Sequence, residues 1–421
     1  MGKEKKTEAN ALTPIPASER RSWLSMMFVQ AGICVCVPAF LLGALLGEAM
    51  PLWPAIISGS LGYLLVVLGM IVIGIIGTDI GIASCTVAES TFGKTGARFL
   101  VSILFAINAI GWFGIQNEVC GEAVSNYLSM QFGLQASVSA CSIVCGIIML
   151  LTAVFGLRAL EKLNYVSIPF LIIAMILGTY LAISKYGLHA LDQEVPQTMS
   201  FLAGVSLSFN FTAMGTITAA DYTRFQKSRK DTVLSVGLGV FPMGVVTLLL
   251  GILLTKIAGN YDISMVLIDV GIPLFGIGAL ILSTWTTNST NAYSGGLNVA
   301  MLLHVPDNRR REVTLAVGLV GTFLGVFGIL DFIEGFLSLL SFIVCPVGGI
   351  MIADYWIIGK GKPENWHSCE GVKMLAVITW LISAVAAYLI NIEYSGILIA
   401  IVIYIILERF IPSNAREHKI S

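Results

Sequence analysis

Residues 285–298 read WTTNSTNAYSGGLN, with three Asn, three Thr and two Ser set between the apolar runs GIGALILS and VAMLL. At helical spacing Thr284, Asn288 and Asn291 share one face, and Thr287, Asn291, Ser294 and Asn298 share another. Neutral hydroxyl and carbonyl oxygens suit a hard monovalent cation, and the stretch lacks the carboxylates that a divalent ion takes. Ser and Thr also mediate close packing of membrane helices, and Ser294, Gly295 and Gly296 are read that way. Ser283, Thr286, Thr287 and Asn288 together exceed what such packing needs.

Two further stretches place polar groups among apolar ones. In NAIGWFGIQNEVCGE, residues 108–122, Asn108, Trp112 and Gln116 recur every fourth residue and form one stripe. A buried Trp is often core packing. Flanked by two amides on its own stripe, Trp112 reads instead as a flat platform beside hydrogen-bonding groups. In SFLAGVSLSFNFTAMGTITAADYTRF, residues 200–225, Ser, Thr and Asn alternate with apolar residues around a central Phe211, with Gly204 and Gly215 on either side. Gly weakens a helix by about 1 kcal/mol relative to Ala, and Ser, Thr and Asn compete for backbone bonds. We expect this segment to be interrupted; the alternative is a continuous helix whose hydroxyls bond back to carbonyls one turn earlier.

The elements that must hold these groups are membrane helices. The chain of 421 residues is 56% hydrophobic and 12% charged, against about 25% charge in soluble domains, and its mean hydropathy is +0.87. Long apolar runs predict twelve spans, at 24–48, 53–77, 97–126, 136–157, 163–184, 198–220, 231–257, 270–303, 312–330, 333–357, 371–390 and 394–411. With the N-terminus inside, 22 of the 24 Lys and Arg fall on the cytoplasmic side and only Lys185 and Lys256 outside. That separation predicts a multi-pass protein of the cell membrane with both termini cytoplasmic. The charged tail at 1–23 reads as mobile, and a second tail follows at 412–421.

In the first span Pro38 removes a helix hydrogen bond and frees carbonyls near Cys34, with Gly32 adding freedom. Interrupted helices in corresponding positions of two halves point to a transporter site. Spans 1 and 6 are five apart, as are spans 3 and 8. This predicts an all-α membrane protein with a five-plus-five inverted repeat, 24–184 and 198–357, followed by two extra helices at 371–411.

Other chemistries find little support. AESTFGKT, residues 88–95, nearly matches a phosphate loop, but Ala88 replaces its first Gly and no strand precedes it. The four His lie in loops or the tail, and Cys141 and Cys145 read as small packed hydrophobes. Glu118 and Glu122, the acids nearest the polar stripe, are expected toward the outside. No catalytic constellation suggests an enzyme, and no basic patch suggests nucleic acid. Polar residues gathered at mid-depth favour an occluded site over a channel. An amino-acid transporter of similar architecture would cradle a carboxylate, which the aromatic and amide set suits less well.

At GWFG (111–114), TAADYTRF (218–225), WTTN (285–288) and CPVGGIMIADYW (345–356) the chain resembles the nucleobase:cation symporter-1 family of purine and cytosine permeases, and within it the cytosine permeases. The resemblance covers nearly the whole chain. It implies the leucine-transporter fold, with helices 1 and 6 interrupted. A planar heterocycle would lie between Trp112 and Phe211, its edge read by Gln116, Asn108 and Asn288, with Ala213 and Met214 alongside. A sodium ion would sit between helices 1 and 8, on the carbonyls of Gly32, Val35 and Ser283 and the hydroxyls of Thr286 and Thr287. Cytosine permeases carry Gln where Ala109 stands and Ser where Ala213 stands, so cytosine, another pyrimidine, a purine, a hydroxymethylpyrimidine or a hydantoin-like ring all remain open. We therefore expect a monomeric symporter importing such a ring with sodium, or alternatively with a proton. No cofactor is expected beyond the co-transported ion.

Overall fold

The computed structural model describes residues 13–192, 196–306 and 309–410. Among these the chain is helical, with one isolated backbone bridge between Arg21 and Gln226. Span 1 is the broken pair α1 (Trp23–Cys34) and α2 (Val37–Ala49), and span 2 is α3 (Leu52–Ile80). Two short helices, α4 (Ser84–Val87) and α5 (Glu89–Gly96), lead through a π turn at 97–101 into α6 (Ser102–Phe132), span 3. Spans 4 and 5 are α7 (Val138–Val154) and α8 (Leu157–Tyr186). Span 6 is α9 (Phe201–Thr218), extended by α10 (Ala220–Thr223), and span 7 is α11 (Arg229–Ala258). A short α12 (Ile263–Asp269) precedes α13 (Pro273–Leu303), span 8. The remaining spans are α14 (Arg310–Val326), α15 (Ile333–Ile352) with a π extension to 358, α16 (Met374–Ile390) and α17 (Ser395–Phe410). Each of the twelve spans thus has its helix. Among the described residues six helices are long and apolar enough to cross a membrane by length and composition, and the bent α1–α2 pair makes a seventh. α13 is long enough, but its Thr, Ser and Asn residues dilute its hydropathy.

The break in span 1 follows from Pro38. Proline is tolerated in the first turn of a helix, where its missing N–H has no partner to lose. It stands in the first turn of α2, so a new helix starts there. Val35 and Cys36 bridge the two pieces in non-helical conformations, and the axes differ by 55°.

Span 6 corrects the expectation of a mid-depth interruption. α9 is continuous from Phe201 to Thr218, and the only turn is at Ala219. Three of its hydroxyls are satisfied without unwinding: Ser208 Oγ donates to Gly59 O at 2.6 Å, Thr216 Oγ1 to Val66 O at 3.4 Å and Thr218 Oγ1 to Met214 O at 2.8 Å. Gly204 permits close approach, since a Cβ there would meet Ser58 and the Met50 sulfur. Ser208 and Thr216 therefore fasten span 6 to span 2.

Span 2 packs along span 6, span 7 along span 1, and span 3 along span 8. Exchanging spans 1–5 with spans 6–10 maps this set of pairs onto itself.

The N-terminal tail is corrected in part. Residues 1–12 lie outside the described residues, as do 411–421, and with them the end of the last span and the expected C-terminal tail. Residues 13–22 are docked. Ile15 is buried and its N–H donates to Gly81 O at 2.8 Å, while Arg20 Nη1 donates to Thr78 O at 2.6 Å and Gln226 O at 2.8 Å. A guanidinium that meets carbonyls from two different segments ties the tail down.

Candidate functional site

The break between α1 and α2 meets α3, α6, α9 and α13 around a small central cavity of about 110 Å³. Its lining follows helical periodicity. Asn108, Ala109, Trp112 and Gln116 come from α6, and Phe211, Met214, Gly215 and Thr218 from α9, with Thr212 beside them. From α13 come Thr287, Thr290, Asn291 and Ser294. The i, i+3, i+4, i+7 spacing on α9 and α13 is one face of a helix. No lining residue carries a formal charge.

The cavity holds several polar groups without partners. Gln116 is fully buried, and neither its Oε1 nor its Nε2 has a hydrogen-bond partner. The same holds for Asn108 Oδ1, Thr212 Oγ1 and the Tyr63 hydroxyl. A buried polar atom left unpaired costs about 1–3 kcal/mol, and native structures pair the great majority of them. Several together at one cavity mark a place where a polar guest supplies the missing bonds. The Cys36 thiol, at the helix break, lies beside both Gln116 and Thr287.

Trp112 and Phe211 face each other across this space, with ring centroids 6.3 Å apart and planes tilted by 57°. A flat guest stacked on both rings needs two contact distances, about 7 Å in all, and nearly parallel planes. The pair is thus closed against itself, and one ring must turn to admit a guest. Phe211 also lines a larger vestibule of about 830 Å³ on the face away from most Lys and Arg, together with Leu41, Glu48, Asn210, Leu337 and Glu393. Phe211 is therefore the partition between vestibule and cavity.

On the Lys/Arg-rich face the cavity is closed by polar contacts. Tyr222 lines its floor, with its ring centroid 6.2 Å from that of Tyr293. Asp221 accepts from Ser84 N at 2.8 Å and Ser294 Oγ at 2.6 Å. Arg224, fully buried, donates to Tyr293 OH at 3.0 Å and to Asp221 O at 3.2 Å. A second Ala-Asp-Tyr triplet at 353–355 repeats the device: Asp354 accepts from Ser90 Oγ at 2.9 Å and Tyr404 OH at 3.4 Å. The two triplets hold the connection 84–96 from two sides. That connection contains the phosphate-loop look-alike. Its backbone N–H groups at Lys94 and Thr95 donate to Cys369 O and Gly371 O, so they are committed to protein and do not form a phosphate cradle.

The oxygens expected for a cation also converge. Thr286 Oγ1 donates to Gly32 O at 3.2 Å and Ser283 O at 2.9 Å, and Thr287 Oγ1 to the same two carbonyls at 3.1 Å each. Val35 ends α1, with its N–H on Ala31 O and its carbonyl at the break. Two hydroxyls and two carbonyls thus cluster between α1 and α13, with a third carbonyl close by in sequence.

Two residues are placed differently from the expectation. Asn288 faces away from the cavity, because it lies about 100° around α13 from Thr287. Its Nδ2 donates to Phe113 O at 3.1 Å and its Oδ1 accepts from Asn291 Nδ2 at 3.4 Å. Asn291 holds the cavity position instead. Ala213 is turned from the cavity in the same way, into the apolar cluster of Val66, Met70 and Phe209, while Met214 lines the space. Glu118 accepts from Leu330 N at 2.9 Å and is not among the cavity's lining residues. Tyr63 and Cys36 were missed: each sits in a largely apolar stretch with no amide or carboxylate at helical spacing. Asn291 and Ser294 were legible as one face with Thr287.

A family profile described as permease for cytosine/purines, uracil, thiamine, allantoin matches residues 14–404. The chain belongs to that family. It is 29% identical over 376 residues to the cytosine permease of Escherichia coli K12, covering 89% of this chain and 86% of that one. It is 26% identical to the purine-uracil permease NCS1 of Arabidopsis thaliana, covering 83% of this chain and 64% of that one. In fold it is similar to MHP1, a nucleobase-cation-symport-1 family transporter solved in a closed conformation with bromovinylhydantoin bound. The TM-score is 0.84 at 18% identity, with 96% of each chain covered. The permease is an all-helical, twelve-span membrane transporter of the leucine-transporter type, and not an enzyme. Its class of cargo is nucleobase-like.

Proposed function

We propose that this permease is a symporter that imports a planar, uncharged nucleobase-like ring with sodium by alternating access. The observation that carries this reading is Gln116, fully buried with both amide atoms unpartnered, in a cavity bounded by Trp112 and Phe211. The aromatic pair takes the faces of the ring, contributing on the order of 0.5–1.5 kcal/mol beyond burial. Gln116 and Asn108 read its edge, with Asn291 in the place first given to Asn288. The uncharged lining favours a neutral ring over a zwitterionic amino acid. A cavity of about 110 Å³ lies below the roughly 300–1,000 Å³ of drug-sized pockets and suits a single small ring.

Sodium is assigned to the carbonyls of Gly32, Val35 and Ser283 and the hydroxyls of Thr286 and Thr287. Binding there ties α1 to α13 and sets the Cys36 break, which adjoins Gln116, so ion and ring bind in concert. Inward passage of one positive charge draws about 2.3 kcal/mol per 100 mV. The Lys/Arg-rich face is cytoplasmic in this reading. Spans 1–5 and 6–10, residues 24–184 and 198–357, are its two inverted repeats, supported by the packing pairs that survive their exchange.

A thermal-shift screen of the purified chain against nucleobases, hydantoins and amino acids, with and without sodium, tests the proposal. One class of flat ring should stabilise the protein, more strongly in sodium, and Trp112→Ala should abolish that shift. A Trp112→Ala variant that responds as wild type does would remove the stacking platform. Uptake that ignores sodium and collapses with the proton gradient would transfer the coupling to a proton.

A further inference from the structure

A polar seam leads from the candidate cation site toward the Lys/Arg-rich face. α8 carries Glu161, Asn164 and Ser167 at successive intervals of three, which keeps them on one side of the helix. α8 packs against both α1 and α13, the two helices that hold the cation oxygens. Asn164 and Ser167 are fully buried, yet Asn164 Oδ1, Asn164 Nδ2 and Ser167 Oγ have no hydrogen-bond partner. The Asn164 carboxamide lies directly against Gly32, where an added Cβ would run into it. Gly32 is the residue whose carbonyl accepts from both Thr286 and Thr287. At the other end of the seam Glu161 accepts from Ser25 Oγ at 2.6 Å and lies 3.4 Å from Arg21 Nε.

Three unpartnered polar atoms on one buried face need an occupant, since apolar packing would leave their hydrogen-bonding capacity unmet. Asn and Ser offer the same hard, uncharged oxygens as the site beside them, and such oxygens replace part of the hydration shell of a small cation. Gly32 leaves room for the carboxamide to approach the α1 backbone, which any larger residue would deny. Beyond Asn164 the next polar group on the same face is a carboxylate, Glu161, held near the surface by Ser25 and Arg21.

We propose that Asn164 and Ser167 form a second monovalent-cation station on α8, beside the site at Gly32, Ser283, Thr286 and Thr287. The proposal rests on the assignment of that first site. A cation moving between the two stations exchanges the Thr hydroxyls for the Asn164 amide oxygen while the Gly32 backbone stays beside it. This places α8, as well as α1 and α13, among the helices that sense the ion.

The test is a titration of the full-length protein in detergent with sodium chloride, choline chloride keeping ionic strength constant, read by thermal stability and by binding of radioactive sodium. Asn164→Leu should raise the half-saturating sodium concentration about tenfold, the lower end for loss of a group supporting a metal site. Ser167→Ala should raise it less. Asn164→Asp should lower it, because a carboxylate oxygen attracts the ion more strongly; a merely structural Asn164 would be harmed by either change. If Asn164→Leu fails to fold, the Asp and Ala variants decide. Should the Asn164 variants titrate as wild type while Thr287→Ala abolishes the response, the seam holds water and the second station is overturned, with the first site left standing. Weakening of sodium binding by Asn164→Asp would also overturn it. No sodium response in the wild-type protein, with stabilisation by a heterocycle intact, would overturn both sites together.

Discussion

The two ends of the bundle are closed by different physics. At the Lys/Arg-rich end, Asp221 and Asp354 are buried and hydrogen-bonded to Ser84, Ser294, Ser90 and Tyr404, and Arg224 is fully enclosed. At the opposite end the vestibule of about 830 Å³ reaches the cavity's edge, and the partition there is the ring of Phe211 against Trp112. Directional, desolvated bonds hold one end in a single geometry. A ring contact worth about a kilocalorie per mole holds the other. The proposed alternating access needs such a difference between the ends, and here the polar end is locked and the aromatic end is held by one ring contact.

That comparison breaks most visibly at Asp221. Asp221→Ala strips the acceptor from Ser84 N and Ser294 Oγ and removes a negative charge that interacts with the buried Arg224. Removing one member of such a buried charged set costs about 3 kcal/mol or more. Thermal unfolding in detergent should show a clear drop in Tm. Asp354→Ala should cost less, about 1–2 kcal/mol, because the acceptor it removes serves the neutral hydroxyls of Ser90 and Tyr404, and the second bond is long at 3.4 Å.

Phe211→Ala sharpens the other side. It should join vestibule to cavity and raise severalfold the rate at which a membrane-impermeant thiosulfonate labels Cys36, mapped by mass spectrometry, with little change in Tm beyond the lost ring. Unchanged labelling would mean that Phe211 is not the partition. The smallest effect is expected at the vestibule end's exposed ion pair, Lys185 with Asp269 at 2.8 Å. Exposed pairs of this kind contribute little, so Lys185→Ala should leave Tm unchanged within error. If it lowered Tm as much as Asp221→Ala, the contrast between the ends would be lost.

Much of this was legible from residue type and spacing. Pro38 placed the break in span 1, and the stripe Asn108, Trp112, Gln116 proved to be a cavity face. Thr287, Asn291 and Ser294 were one face in the sequence and are one face of the cavity. The inferences that failed ignored periodicity or partners. Asn288 and Ala213 were assigned by resemblance, yet each lies off the lining face of a regular helix. The expected interruption of span 6 treated Ser208, Thr216 and Thr218 as competitors for their own backbone, but two of them bond to the neighbouring α3 instead.

Sequence alone determined the solvent each segment prefers, the number of spans, the side on which positive charge accumulates and the faces on which polar groups align. These follow from hydropathy and helical period, which act within one segment. Only the tertiary structure decided which polar groups find partners. Whether a buried polar side chain fastens two helices, as Ser208 does on Gly59, or stays unpaired beside a glycine of another span, as Asn164 does at Gly32, depends on atoms over a hundred residues away in the chain. Hydrogen bonds reach about 3 Å, and no regularity within a single helix determines what lies at that distance across the bundle.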